Sequence, residues 1–392
     1  MKILNKNRTI SHANLKQGPH FPTYLDRPAM QIIILVTICS IIVFAGFLFD
    51  VIGALQKRDK DVDFYTIELQ NLILQKQTVL QWPLFRAFVP SLSIITSHFL
   101  HISYRHSMQL LSLLFMILII CFIYRINRNS PKTAFFTSVF FISFPVVMLY
   151  AGTFFIELPF LAFLFASFWY WDRFLHTLSK TDFGLTVLFS ILGLLTKEAF
   201  LVQLVIMGLY AIVFFKSNRK TILTAYATLG LFLTALYFFN YEYLFSIVKT
   251  PVVNAITTNT FSTNFQPIAI HTIVVFFSSF RGGFIHVVIN FILTFGLAHL
   301  LIAFLWKQQQ ARIRKAMLVY FITIFAILIF ITINVNTGHR YSMLCFAPSY
   351  LLLISKKITP YIHDGRLPAF CAATVAVNLL IVVTYAILQH RH

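Results

Sequence analysis

Acidic residues are scarce in this chain: 12 Asp and Glu stand against 31 Lys and Arg in 392 residues, and charged residues of both signs make up only 11%. With 58% hydrophobic residues, 45 Phe and a mean hydropathy of +0.80, no water-soluble core could absorb the apolar surface. Cysteine is nearly absent as well. Cys39, Cys121, Cys345 and Cys371 all lie in apolar stretches, without C-x-x-C spacing or histidine partners in register, so they read as small buried apolar residues. The chain also lacks a zinc or haem signature, a glycine-rich phosphate loop, a G-x-S-x-G elbow and an internal repeat of fixed period. No soluble domain gathers the basic residues into a groove, so a pI of 9.9 speaks against nucleic acid as a partner and for a topology signal.

What the chain does have is long apolar runs. Charge-poor stretches recur at 31–49, 107–124, 133–150, 157–175, 183–215 (as two short spans), 221–239, 284–306, 316–334, 341–355 and 368–388. The fold class expected is all-α: a polytopic transmembrane helical bundle of about 11 spans, forming one domain over 31–388 between a polar tail at 1–30 and a short tail at 389–392. The first apolar run follows thirty polar residues and lacks a small-residue cleavage site, so it reads as a retained anchor and not a signal peptide.

Placing the N-terminus in the cytoplasm puts 20 of the 31 basic residues, but only four of the 12 acidic ones, on the inner side. The formal charge of +19 then divides into +16 inside and +3 outside, as the positive-inside tendency requires. This topology makes 50–106 the first outer loop and 240–283 a later one, the latter polar and rich in Thr and Asn over 251–267. Apolar positions Phe64, Ile67, Leu72 and Ile73, then Phe85, Phe88, Leu92 and Ile95, suit interfacial helices in the first loop.

Lys197 and Glu198, in Leu195-Thr196-Lys197-Glu198, separate two apolar runs too closely for an ordinary loop. A charge held that deep costs several kcal/mol unless it is paired or serves a polar cavity, roughly the scale that makes membrane charges functional candidates. The competing structural reading is a tight helix–helix turn whose charges snorkel to headgroups. Asp61 and Asp63 precede Phe64-Tyr65 in the acidic first loop, where either a catalytic carboxylate or a helix N-cap fits. Glu157 opens a helix with Pro159 in its first turn, and its carboxylate also complements the helix dipole. Gly338-His339-Arg340-Tyr341 places a guanidinium at an outer mouth, where it can bind phosphate bidentately or reach headgroups.

Taken in order, Asp63-Phe64-Tyr65, Glu157, Leu-Leu-Thr-Lys-Glu at 194–198 and Arg-Tyr followed by Pro348 resemble the GT-C superfamily of integral-membrane glycosyltransferases, closest to its protein-mannosyltransferase-like and aminoarabinose-transferase-like branch. The likeness spans about 31–355. It implies a sugar donor on a polyprenyl phosphate, with membrane lipids as surroundings, in a bacterial-type cytoplasmic (inner) membrane. By the same resemblance Asp63 or Asp61 is the catalytic acid, Glu157 holds the acceptor or a divalent ion, and Lys197, Arg340 and Arg86 meet the lipid phosphate. Glu198, Tyr65, His339 and Tyr341 are supporting residues in that picture. The family often shows an Asp-Glu pair before aromatics, whereas Phe64 follows Asp63 here, which leaves the choice between Asp61 and Asp63 open. No cofactor is required outright; two or three carboxylates could organise a divalent cation or water.

Transfer from a phospholipid carrier needs a base for the acceptor proton, cations for the departing phosphate and alignment of both substrates. A single acid in the loop points to inversion at the sugar carbon. Three rivals share the broad features. An O-antigen polymerase or ligase has a similar helix count but a large late outer loop; a lipid-linked-sugar transporter needs charges or broken helices near mid-span; and a non-catalytic assembly protein needs no acid at all.

Overall fold

The structure, a computed structural model, describes residues 27–48, 88–127, 130–151, 157–197, 200–214, 218–247 and 366–390. Among the described residues every regular element is an α-helix, in the order α1 (Pro28–Leu48), α2 (Phe88–Leu100), α3 (Tyr104–Ile126), α4 (Pro131–Ser143), α5 (Pro145–Tyr150), α6 (Glu157–Thr177), α7 (Lys180–Thr196), α8 (Phe200–Phe214), α9 (Arg219–Ile247) and α10 (Arg366–His390). By length and composition, two stretches among these are long and apolar enough to cross a membrane, Tyr104–Ile126 and Arg219–Tyr237. The expected spans at 284–306, 316–334 and 341–355 lie outside the described residues, as does 50–87 of the first loop.

Serine begins three of these helices. Ser103, Ser130 and Ser179 accept from the backbone N–H of His106, Thr133 and Asp182, which satisfies one otherwise orphaned donor at each N-terminus. Leu178 ends α6 in the left-handed region (φ 54), its N–H bonded back to the Phe174 carbonyl, and only Ser179 separates it from α7. A connection that short forces α6 and α7 to lie antiparallel as neighbours. The run 133–150 is broken rather than continuous. Phe144 leaves the helical region (φ −58, ψ 128) ahead of Pro145, which has no N–H to give and would clash with the preceding turn.

The centre of the bundle is α6. Eighteen of its 21 residues are buried, on every side, which is the pattern of a helix surrounded by protein and not of one facing solvent or lipid. Aromatic contacts tie it to its neighbours: Phe163 meets Phe88 and Phe115 edge-on, Trp169 lies against Phe122, and Tyr170 stacks on Phe189 with an interplanar angle of 4°. Since Phe115 and then Phe122 of α3 meet Phe163 and then Trp169 of α6, the two helices run the same way. Against α6, helix α7 presents Asp182, Thr186, Ser190, Gly193 and Leu194, all buried. Mostly small side chains on that stripe allow the two backbones to approach closely.

Two expectations change at this level. Residues 88–100, expected among surface-lying helices, instead form the short arm of an antiparallel hairpin with α3: the Ser107 hydroxyl donates to the Ser93 carbonyl and the Ser93 hydroxyl to the Tyr104 carbonyl. Of the cysteines, Cys39 and Cys371 are buried as expected, but Cys121 is exposed, on the same outward face of α3 as Leu114 and Arg125. A thiol is apolar enough to face lipid, so burial in protein is not required of it. The described helices expose many large apolar side chains, among them Phe44, Ile95, Phe99, Leu231 and Leu380, which suits surroundings of hydrocarbon.

Candidate functional site

Lys197 is where the chain turns from α7 into α8. The last turn of α7 closes with the Lys197 N–H on the Gly193 carbonyl, Lys197 itself is extended (φ −160, ψ 130), and the Phe200 N–H returns to the Lys197 carbonyl. Gly193 makes this possible. A Cβ there would run into the Phe200 ring, so only glycine lets that ring fold back over the helix end. Phe200 also meets Phe160 edge-on, one turn into α6.

These packings bring the first residue of α6 against the junction. Lys197 Nζ donates to Glu157 Oε1 at 3.0 Å across 40 positions of sequence, with the two side chains 1% and 0% exposed. The turn expected from the competing reading is therefore present, but its lysine does not snorkel. Both groups are buried in the protein interior, which solvates ions poorly, and each supplies the countercharge that the other needs. Glu157 stands at the N-terminus of α6, where a carboxylate complements the helix dipole.

Glu157 and Lys197 are the two sequence-expected site residues whose positions the structure describes, and it brings them together. Asp61, Asp63, Tyr65, Arg86, Glu198, His339, Arg340 and Tyr341 lie outside the described residues. No group of three or more His, Cys, Asp or Glu side chains gathers among the described residues. Glu157 faces an ammonium, so the described side chains form no cage for a divalent cation.

A second polar group closes the opposite end of the same helices. Tyr210 of α8 donates to Asp172 Oδ1 at 2.6 Å, with His176 Nε2 3.8 Å from that oxygen, and Arg173 pairs with Asp182 at 3.2 Å while Thr177 donates to its other oxygen. Arg125 and Arg173 both lie over the Trp169 ring. Helices α6 and α8 thus run parallel, bonded at Glu157–Lys197 on one end and Asp172–Tyr210 on the other, about 22 Å apart along α6. Asp172 and Asp182 are two of the four acidic residues that the sequence places on the basic side; packing decides that Asp172 is 1% exposed and bonded to a tyrosine, although a carboxylate inside the run 157–175 is itself a signal. Gln203, inside the apolar run 199–215, carries the same signal.

Residues 88–241 match the dolichyl-phosphate-mannose-protein mannosyltransferase family. The match supports a GT-C superfamily glycosyltransferase. It covers less than half of the chain, runs from the first residue of α2 into α9, and includes Glu157 and Lys197. No curated protein and no solved structure matches the chain. A glycosyltransferase of this kind uses a lipid-linked sugar donor in a membrane setting, which agrees with the apolar helices.

Proposed function

We propose that the protein transfers a sugar from a polyprenyl-phosphate carrier to a lipid, glycan or protein acceptor at the outer face of a bacterial-type cytoplasmic membrane. The observation that carries this reading is the buried Glu157–Lys197 pair, lying within the matched segment at the end of the bundle opposite Arg125 and Arg173. An ammonium has three donors and can bridge a carboxylate to a phosphate oxygen, so Lys197 is suited to receive the carrier's anionic head while Glu157 holds it in place. Arg340 and Arg86 join it on the phosphate in this proposal. Asp63 or Asp61 acts as base, with Tyr65, Glu198, His339 and Tyr341 supporting. The acceptor oxygen bonds to the anomeric carbon as the bond from that carbon to the phosphate oxygen breaks, and the acceptor proton passes to the Asp carboxylate. One displacement of this kind inverts the sugar carbon, and detection of a covalent sugar–enzyme adduct would exclude it.

Base assistance is worth ~10²–10⁴ in rate and a preorganised charge contact ~10²–10³. The decisive variant is Glu157→Leu with Lys197→Met, because replacing both members of a buried pair by apolar groups of similar size is often neutral for stability. The double variant is expected to insert and melt like wild type but to lose transfer by about 10² or more, measured with a radiolabelled polyprenyl-phosphate sugar. Transfer at wild-type rate would reduce the pair to a packing device and remove the main support for this reading.

A further inference from the structure

Around α8 nearly every interior polar group is bonded. The Leu204 carbonyl accepts from the Tyr226 hydroxyl, the Met207 carbonyl from Trp171 Nε1, and the Tyr210 hydroxyl serves Asp172. Gln203 differs. It is 0% exposed, yet neither its Oε1 nor its Nε2 has a hydrogen-bond partner among the described residues. Ser190 on α7 is the same, fully buried with its hydroxyl unpartnered. An amide buried without a partner is costly, so an unpaired one points to a ligand that would satisfy it.

Gly193 of α7 lies under Phe200 of α8, and Gln203 is one turn further along α8 from the junction that holds Lys197. Side chains on a helix lean towards its N-terminus, so the Gln203 amide is carried back towards Phe200 and Lys197. We propose that Gln203 binds hydroxyl groups of the donor's sugar next to the phosphate held by Lys197. The inference rests on the donor reading above and adds the residue that distinguishes a charged carrier from a bare one. The chemistry favours a sugar: a carboxamide both donates and accepts, as does each hydroxyl, whereas a phosphodiester oxygen only accepts and would leave Oε1 unmatched.

The test measures binding of two probes, polyprenyl phosphate and polyprenyl-phosphate mannose, to the full-length protein in lipid nanodiscs. Gln203→Leu is expected to weaken the mannose-bearing probe about tenfold, the size of one or two hydrogen bonds, and to leave the sugar-free carrier unchanged. Lys197→Met weakens both. Thermal stability separates roles: Leu at 203 removes an unpaired amide and should not lower the melting temperature, whereas loss of a structural amide would. Equal weakening of both probes by Gln203→Leu, or no weakening of either, overturns the proposal while leaving the donor site intact. Wild type that binds both probes equally well also overturns it. Failure of wild type to bind either probe removes the donor reading itself, and the assignment of Gln203 with it.

Discussion

Lysine 197 and glutamate 157 have opposite consequences when changed singly and together. Removing one member strands the other charge in the buried interior, at a cost of about 3–5 kcal/mol for a buried pair. Lys197→Met alone is therefore expected to melt well below wild type, and adding Glu157→Leu to restore most of the loss, by calorimetry in detergent. Single variants that melt like wild type would mean that water reaches the pair. The same logic marks Tyr210. Its hydroxyl is the 2.6 Å donor to a buried carboxylate, so Tyr210→Phe should destabilise by about 1.5–3 kcal/mol, the range for hydrogen bonds to charged groups.

Among the elements, α8 has the task of holding the junction residue at the right depth. Its carbonyls at Leu204 and Met207 are gripped from α9 and α6, and Gly208 gives the Tyr226 ring room: a Cβ there would meet the ring and its hydroxyl at 2.7 Å. Gly208→Ala forces α8 and α9 apart or breaks the Tyr226 bond, since ring carbons cannot yield as a flexible chain end would. Sugar transfer is expected to fall several-fold by either route, and Tyr226→Ala added to Gly208→Ala to recover part of it by vacating the space. No change in transfer or melting on Gly208→Ala would show that the α8–α9 contact tolerates a shift. The kink at Phe144-Pro145 and the turn at Leu178 belong to this scale too. Proline announces the first in sequence, but nothing about a leucine announces φ 54.

For the whole molecule the consequential property is sidedness. Arg125, Arg173, Lys180 and Arg219 stand at helix ends connected through α3, α6, α7 and α9, and the ion pair at the opposite end of α6. If the basic end is cytoplasmic, Arg105→Cys in a cysteine-free background is labelled by a membrane-impermeant maleimide on intact cells, and Lys180→Cys only after the membrane is opened. The reverse labelling would turn the bundle over and move the proposed transfer to the inner face.

Composition and charge pattern alone determined the class: apolar runs too many and too long for a soluble core, all helix, with basic residues gathered to alternate connections. These follow from side-chain transfer energies and helix length, which are local and additive. Much of the helix order was legible for the same reason, including the two short helices in 183–215, whereas the hairpin of α2 on α3 was not. Lys197 is visible in the sequence as a costly charge between apolar runs, and Glu157 as an acid at the head of a helix. Their pairing is not, because it depends on an antiparallel α7 returning the chain to the head of α6 and on a glycine at 193 that lets Phe200 fold over. Gln203 shows the same division: its residue type is printed in the sequence, but only packing decides that its amide is buried with no protein partner.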